Sequence, residues 1–137
     1  MKTTDLTPYA RATGIAFTGD LLDGAPVLSL AFSAAVQGRP EYLHGGALAG
    51  LMETAGFAAL RLAMGDAGEQ AVLKPINFST NYLRGAKVGD TFACGRVTRL
   101  GRRSANIAVE AWQEDRFRLV AEAVMNVLIR LPDQGDG

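Results

Sequence analysis

The sequence predicts an α+β domain in which a curved antiparallel β-sheet wraps around one long central helix. One observation behind this prediction is a continuous apolar segment over residues 45–64, which would form a helix of roughly 30 Å. A second is the alternation of apolar and polar residues in the flanking segments, which is typical of half-buried strands. Because the helix has no polar face, the sheet must enclose it.

The segments before the long helix predict a short helix and two strands. Residues 5–12 would form the helix, with Pro8 near its first turn. Residues 14–22 and 26–36 would form the strands, joined at Asp23-Gly24, which is a strong hairpin-turn signal. In the second strand the residues expected to share one face are Leu28, Leu30, Phe32, Ala34 and Val36.

The chain after the long helix is predicted to be entirely β. Gly65-Asp66-Ala67-Gly68 ends the helix. Strands are then expected over residues 71–85, 91–100, 103–113 and 117–131, with turns between them. Alternation places Ile76, Phe78 and Tyr82 on one face of their strand, and Ala105, Ile107, Val109 and Ala111 on one face of theirs. In the last strand the odd positions from Leu119 to Leu131 are all apolar and are expected to form its core face.

Length and composition limit the classes of protein to which the chain could belong. Its 137 residues fit a single domain over 1–137, and a balance of 14 basic and 14 acidic residues argues against nucleic acid as a partner. The lone cysteine, Cys94, cannot form an internal disulfide and is expected to be a small core residue. No apolar signal segment follows Met1, and the long apolar segment carries Glu53 and Arg61. We therefore expect a cytoplasmic protein with a buried helix and no membrane span.

Glu53 is the residue that fits least well in the apolar helix. Its helical neighbours cannot neutralise it, because they are Ala49, Gly50, Gly56, Phe57 and Leu60. Burial of an unpaired carboxylate costs several kcal/mol, so Glu53 is a candidate catalytic carboxylate. The alternative is that Glu53 lies on a solvent-exposed stripe or pairs with a distant arginine.

His44-Gly45-Gly46 lies where the long helix begins. The first N–H groups of a helix have no intrahelical partner, and glycine lets a ligand approach them closely. A carbonyl bound there would be polarised as in an oxyanion hole, although the glycines could simply allow tight packing. His44 is the only histidine, and we expect it to make a structural hydrogen bond. A zinc site and a Ser-His-Asp hydrolase have no support in the sequence.

The segment Tyr42–Ala55, with the acidic residue nine positions after the histidine, resembles the PaaI / 4-hydroxybenzoyl-CoA thioesterase group of the hotdog superfamily. Tyr82–Asp90 is similar to a strand and turn of that group, and Arg99–Arg103 is similar to its next hairpin turn. The resemblance extends from about residue 13 to about residue 130.

This resemblance implies the hotdog fold and hydrolysis of an acyl- or aryl-CoA thioester to free acid and CoA. The Gly45 N–H, with Gly46 beside it, would polarise the thioester carbonyl, and Glu53 would act as nucleophile or as general base. The site would lie between two subunits, so the glycine and the carboxylate would come from different chains. CoA would be part of the substrate, and neither a separate cofactor nor a metal is expected.

The chain departs from the group at two positions. Where the group often has Asn or Gln six residues before the histidine, this chain has Gly38, and Gln37 is the candidate to position substrate or water. A Ser or Thr that some members carry after the helix is also not evident, because Gln70-Ala71-Val72 occupies that region. These departures leave open a non-catalytic acyl-CoA binding module. A third alternative is a hotdog dehydratase or hydratase, which needs a histidine paired with an acidic residue. His44 is the only candidate for that histidine, and it belongs to the Gly-Gly turn.

Two further sets of residues are candidates for substrate contacts. Basic residues near two turns could bind the CoA phosphates, or they could simply be solvated; they are Arg84, Lys87, Arg99, Arg102 and Arg103. Residues of the long helix could line an aryl or an alkyl pocket, and these are Gly50, Met52, Thr54 and Phe57.

The sheet is also expected to need a partner chain. Open sheet edges require pairing, and three apolar residues of the last strand would face outward, namely Val120, Val124 and Leu128. We therefore expect a homodimer or a homotetramer.

Overall fold

The computed structural model describes residues 5–132, so the predicted domain's two ends and the start of the chain considered for a signal segment lie outside the described residues. A six-stranded antiparallel sheet packs on one long helix. The helices are α1 (Pro8–Thr13), α2 (Gly45–Ala63) and α3 (Asp66–Gln70). The strands are β1 (Ile15–Leu22), β2 (Ala25–Leu30), β3 (Val72–Tyr82), β4 (Thr91–Leu100), β5 (Ser104–Trp112) and β6 (Leu119–Arg130).

The strands lie in the order β1-β2-β4-β5-β6-β3, so β1 and β3 are the two edges. Helix α2 packs against the middle of this sheet, and its fully buried residues include Leu51, Met52 and Leu60. The arrangement is the hotdog fold predicted from the sequence. Within residues 5–132, no helix is both long and apolar enough to cross a membrane.

Glycines allow α2 to approach β4 closely. A Cβ added at Gly95 in β4 would lie 2.9 Å from the Cβ of Ala59 and 3.0 Å from the Cα of Gly56. A Cβ added at Gly56 would in turn overlap the sulfur of Met125 in β6. The apolar helix therefore rests on the sheet almost backbone to backbone, and this contact fixes the position of every residue that α2 carries.

The predicted second strand is too long. Strand β2 ends at Leu30, and a 3₁₀ turn occupies Ala34–Val36 where the alternation predicted more strand. The chain leaves the sheet there because it must cross to the start of α2, and the His44 N–H donates to the carbonyl of Val36 at 2.8 Å. The residues after the long helix also differ from the prediction, because 66–70 form the short helix α3.

Two β-bulges change which way predicted residues face. The β3–β6 register shifts between Pro75 and Asn77, so Ile76 has no partner in β6 and is 57% exposed. Phe78, which was predicted to share its face, instead packs against the main core. The β5–β6 register shifts next to Trp112. Val120 is therefore buried in the main core, although alternation predicted an outward position. The prediction for Val124 and Leu128 is confirmed, since both are exposed.

Cys94 is buried, but in a second apolar cluster that is separate from the main core. That cluster includes Val27 and Trp112, with Leu119 packed against it, so Leu119 does not share the core face of β6 as predicted. Burial raises the pKa of the Cys94 thiol to about 11.

Candidate functional site

The start of α2 presents backbone N–H donors that have no partner among the described residues. His44 is the N-cap of the helix, and its Nδ1 accepts a hydrogen bond from the Gly46 N–H at 2.8 Å. Among the described residues none accepts a hydrogen bond from the Gly45 N–H. The cap therefore uses the Gly46 donor and leaves the Gly45 donor free at the positive end of the helix dipole.

Tyr82 at the end of β3 lies against this donor. Its hydroxyl donates to the Gly45 carbonyl at 2.9 Å, and a Cβ added at Gly45 would lie 3.5 Å from the tyrosine ring. Tyr82 is 53% exposed, so one side of the ring is open. The sequence predicted Tyr82 only as a strand residue and did not connect it with the helix start.

Glu53 lies on a half-buried stripe of α2 rather than in the closed core. Gly50, Thr54 and Phe57 are half-buried on the same side of the helix. The Thr54 hydroxyl donates to the Gly50 carbonyl at 2.7 Å. No residue between 5 and 132 forms a hydrogen bond or an ion pair with the Glu53 carboxylate. Glu53 is thus partly exposed, as the alternative of a solvent-exposed stripe predicted. The other alternative, an ion pair with a distant arginine, is wrong within residues 5–132.

Two tyrosines cover glycines of α2 that lie N-terminal to Glu53. At about 100° per residue, Gly50 lies about 60° to one side of Glu53 around α2 and Gly45 lies about 80° to the other. Tyr9 of α1 covers Gly50, while Tyr82 of β3 covers Gly45. Around the helix axis, Glu53 therefore points between the α1 side and the β3 side of α2.

Within a single chain, Gly45 and Glu53 are well separated along α2. Eight residues of helix separate them by about 12 Å along the axis, whereas both groups must come within about 3 Å of the reacting atoms. Two clefts of the described chain, of about 600 and 420 Å³, are lined by neither residue.

Gln37 and Gly38 precede the helix in a tight loop. The Gln37 side-chain oxygen accepts a hydrogen bond from the Glu41 N–H at 2.9 Å. A Cβ added at Gly38 would lie 3.0 Å from the Cα of His44, so a longer side chain could not stand there without a shift of the helix start. Gln37 is exposed and keeps its NH₂ group free of partners among the described residues.

The predicted pocket residues divide into two groups. Gly50, Thr54 and Phe57 lie on the Glu53 stripe. Met52 does not, because it is fully buried between α2 and the sheet and belongs to the core.

The predicted basic residues lie at opposite ends of α2. Lys87 pairs with Tyr42 next to the helix start, and Arg84 is in the same loop, where its Nε donates to the Leu119 carbonyl at 2.8 Å. The turn with Arg99, Arg102 and Arg103 is at the other end, where Arg102 borders a cleft with Ala63 and Met64. The structure adds Arg39, whose guanidinium stacks 3.8 Å from the centre of the Tyr42 ring.

Three residues near the site were not predicted, namely Tyr9, Arg39 and Tyr82. Tyr9 and Tyr82 are far from α2 in sequence, and no local pattern connects them with a glycine of the helix. Arg39 carried a weak signal, because it directly follows Gln37 and Gly38 in the loop before α2. It was missed because its position depends on stacking against Tyr42.

Comparison with known proteins gives one sequence family and many related structures. Residues 41–118 match the thioesterase superfamily, which is more than half of the chain. A conserved protein from Pseudomonas aeruginosa is similar in structure, with 26% identity, a TM-score of 0.77, and 93% of this chain and 97% of that chain covered. None of the curated proteins compared matches the chain significantly.

Two more solved structures share the fold at lower identity. A thioesterase from Haemophilus influenzae is 17% identical, with a TM-score of 0.82, and 94% of this chain and 87% of that chain are covered. A phenylacetic acid degradation-related protein from Ralstonia eutropha JMP134 is 21% identical, with a TM-score of 0.75 and coverage of 90% and 92%.

Proposed function

Because the chain belongs to the thioesterase superfamily, we propose that it hydrolyses an acyl- or aryl-CoA thioester to the free acid and CoA. Thioester hydrolysis is the general activity that this membership supports. The observation that carries the finer proposal is the pair of unused groups on α2, the Gly45 N–H and the Glu53 carboxylate. One is a free donor and the other an unpaired base, and hydrolysis of a thioester needs both.

The Gly45 N–H acts on the thioester oxygen. Negative charge develops on this oxygen when the carbonyl carbon is attacked, and a donor at a helix N-terminus stabilises that charge. The His44 cap contributes indirectly, because its bond to Gly46 fixes the direction of the first turn.

Glu53 supplies the attack on the carbonyl carbon, in one of two ways. As general base it takes a proton from water, whose oxygen bonds to the carbonyl carbon while the C–S bond breaks. As nucleophile it forms an anhydride that water then hydrolyses. In both routes CoA leaves as a thiolate, which is a good leaving group and is then protonated by solvent.

The complete site forms between two copies of the chain. The 12 Å separation of Gly45 and Glu53 along one helix, estimated from helix geometry, is removed if a second α2 runs antiparallel beside the first. The open edge of β3 offers the place for such pairing. Pro75 and the bulge at Ile76 interrupt its first half, so pairing would use residues 77–82. A two-fold axis there creates two equivalent sites.

The same pairing would bring the two groups of basic residues, which lie at opposite ends of α2 in one chain, together around CoA. In an antiparallel pair, the C-terminal end of one α2 lies beyond the N-terminal end of the other. The turn with Arg99, Arg102 and Arg103 of one copy then joins Arg39, Arg84 and Lys87 of its partner. Arginine forks bind phosphate well, and this set provides the local positive charge that a chain of zero net charge needs.

The second candidate is an acyl-CoA binding module without turnover. It is favoured by one observation, the absence of a side-chain amide at Gly38, because Gln37 is the only nearby substitute and its oxygen is already bonded to Glu41. In that case the free Gly45 N–H would hold the thioester without promoting its hydrolysis.

Substitutions at Gly45 and Glu53 test the proposal in a thiol-release assay with a panel of acyl-CoAs. Gly45→Pro removes the N–H while keeping the helix, because proline is tolerated at the first helical position. His44 already has the extended backbone that a residue before proline requires (φ −64°, ψ 135°). Gly45→Ala is the matched control that keeps the N–H, and its Cβ would make only an ordinary contact with Tyr82.

We expect Glu53→Gln to lower kcat by about 10²–10⁴-fold and Gly45→Pro by about 10²–10³-fold. Gly45→Ala should stay within a few-fold of the wild type. Tight binding of acyl-CoAs with no turnover by the wild type would favour the binding module instead. Equal activities of the proline and alanine variants would exclude the Gly45 N–H as the oxyanion donor.

A further inference from the structure

We propose that Tyr9 is a specificity-determining residue, whose ring forms the wall of the acyl pocket on the Gly50 side of Glu53 and limits the size of the acyl group. The proposal rests on the function proposed above, in which Glu53 acts on a thioester. Under this proposal, helix α1 contributes a residue to the site, which the proposed mechanism alone does not require.

The contact between Tyr9 and α2 depends on the absence of a side chain at residue 50. A Cβ added at Gly50 would overlap the Tyr9 hydroxyl and would lie 3.1 Å from two ring carbons. The ring therefore lies directly on the helix backbone. Gly50 is three residues before Glu53, which is about 4.5 Å along the axis and 60° around it. The ring is thus a neighbour of the carboxylate on the half-buried stripe.

Helix α1 is anchored well enough to hold the ring in place. Thr7 caps it by accepting the Ala10 N–H at 3.2 Å, and Ala10 is fully buried in the main core. The Thr13 hydroxyl donates to the Tyr9 carbonyl at 3.1 Å. Gly14 ends the helix with a positive φ of 91°, which glycine adopts without strain. These bonds fix the backbone on both sides of Tyr9.

The ring has an open side and a free hydroxyl. Tyr9 is 53% exposed, and within residues 5–132 its hydroxyl makes no hydrogen bond. If Tyr9 served only to pack α1 against α2, it would need neither its hydroxyl group nor a glycine at position 50. An aromatic face beside Glu53 does suit an apolar acyl group, because apolar surface leaves water when the chain packs on it.

The test is a ladder of straight-chain acyl-CoAs from acetyl to dodecanoyl, with kcat/KM measured for the wild type, Tyr9→Ala and Tyr9→Phe. One methylene in an apolar pocket changes kcat/KM by about 10–200-fold at most. We expect Tyr9→Ala to raise the ratio of long-chain to short-chain kcat/KM by about tenfold or more. Tyr9→Phe keeps the ring and should keep the wild-type ratio.

A matched control is Leu21→Ala, which removes a similarly exposed side chain (63%) near the tip of the β1–β2 hairpin and should leave the ratio unchanged. Circular dichroism and Tm of each variant separate a loss of folding from a change in specificity. If Tyr9→Ala folds and its ratio equals that of the wild type, Tyr9 is only a structural contact and the proposal is wrong.

The proposal stays testable if the wild type hydrolyses none of the ladder. The affinities of the same acyl-CoAs are then measured by calorimetry, where Tyr9→Ala should shift the preference toward longer chains. A shift without turnover would support Tyr9 and refute the hydrolase function. Absence of both binding and turnover would overturn both proposals.

Discussion

Substituting Gly95→Ala tests whether the close approach of α2 to β4 positions the site. The added methyl group would lie 2.9 Å from the Cβ of Ala59, 3.0 Å from the Cα of Gly56 and 3.1 Å from the carbonyl oxygen of Ala55. Ordinary carbon–carbon contacts are about 3.5–4.0 Å. The two carbon–carbon distances are too short by roughly 0.5 Å. The atoms they involve are a Cα and a Cβ of the helix, which cannot rotate away, so α2 must move off the sheet.

The expected cost follows from these contacts. Overpacking of an interior costs about 1–3 kcal/mol, and replacing glycine within a strand returns about 0.5–1 kcal/mol. Taking the middle of both ranges, the net loss is about 1 kcal/mol, or roughly 3–5 °C in Tm for a chain of this size. A shift of α2 by several tenths of an ångström also moves Glu53, and a misplacement of about 1 Å can cost about 10²-fold in rate. We therefore expect kcat/KM to fall at 25 °C even while the protein stays folded.

Urea denaturation and thiol-release kinetics of Gly95→Ala, Ala59→Gly and the double variant provide the assay. Ala59→Gly removes the nearest clashing atom but itself costs about 1 kcal/mol in the helix. The double variant should be more stable than the sum of the single losses predicts, by about 0.5–1 kcal/mol. Strict additivity, or a Gly95→Ala variant as stable as the wild type, would refute the close-contact reasoning.

Three further predictions concern single groups. His44→Ala removes the cap on Gly46 and should lower the free energy of unfolding by about 1 kcal/mol, whereas His44→Asn should keep most of it; equal losses would contradict the capping role. Arg61 donates to the Gly68 carbonyl, so Arg61→Ala should cost about 1.5 kcal/mol in urea denaturation, and no change would show that α3 holds without this bond. Because burial raises the pKa of Cys94 to about 11 from 9.0, its thiol should react slowly with iodoacetamide at pH 8 until the protein unfolds, and rapid labelling of folded protein would be contrary to this. The stability linked to Cys94 is present below about pH 9 and is lost as the pH rises toward 11.

The sequence predicted α2 within one residue of its observed end because local signals define it. The segment is apolar on nearly all sides, His-Gly-Gly marks its start, and Gly65 with a positive φ of 63° follows its end. The strand after the Gly89 turn was also predicted with the observed bounds, 91–100. Where the hydrophobic pattern of a segment is strong and turn residues lie at both ends, the local sequence determines the bounds of the helix or strand with little influence from tertiary contacts.

The predictions that failed concern features that depend on contacts between segments distant in sequence. The bulges at Ile76 and Val120 depend on how two strands align, and alternation within one strand contains no information about its partner. The end of β2 depends on where the chain must cross to reach α2. The Tyr9–Gly50 contact joins residues 41 positions apart in sequence, so local pattern could not identify it. Glu53 could be proposed as the catalytic carboxylate because its isolation among apolar neighbours in the sequence is itself a local feature.

The most direct test of the shared site is complementation between two inactive variants. Glu53→Gln and Gly45→Pro are purified separately, each is shown to be folded and inactive, and they are mixed at equal concentration under conditions that allow subunit exchange. If Gly45 of one copy acts with Glu53 of the other, each mixed dimer has one intact site. Random exchange should then restore about one-quarter of wild-type activity. If both groups act within one chain, every site in the mixture carries a defect. A mixture that exchanges subunits, as shown by mass spectrometry, yet stays inactive would contradict the site between two copies.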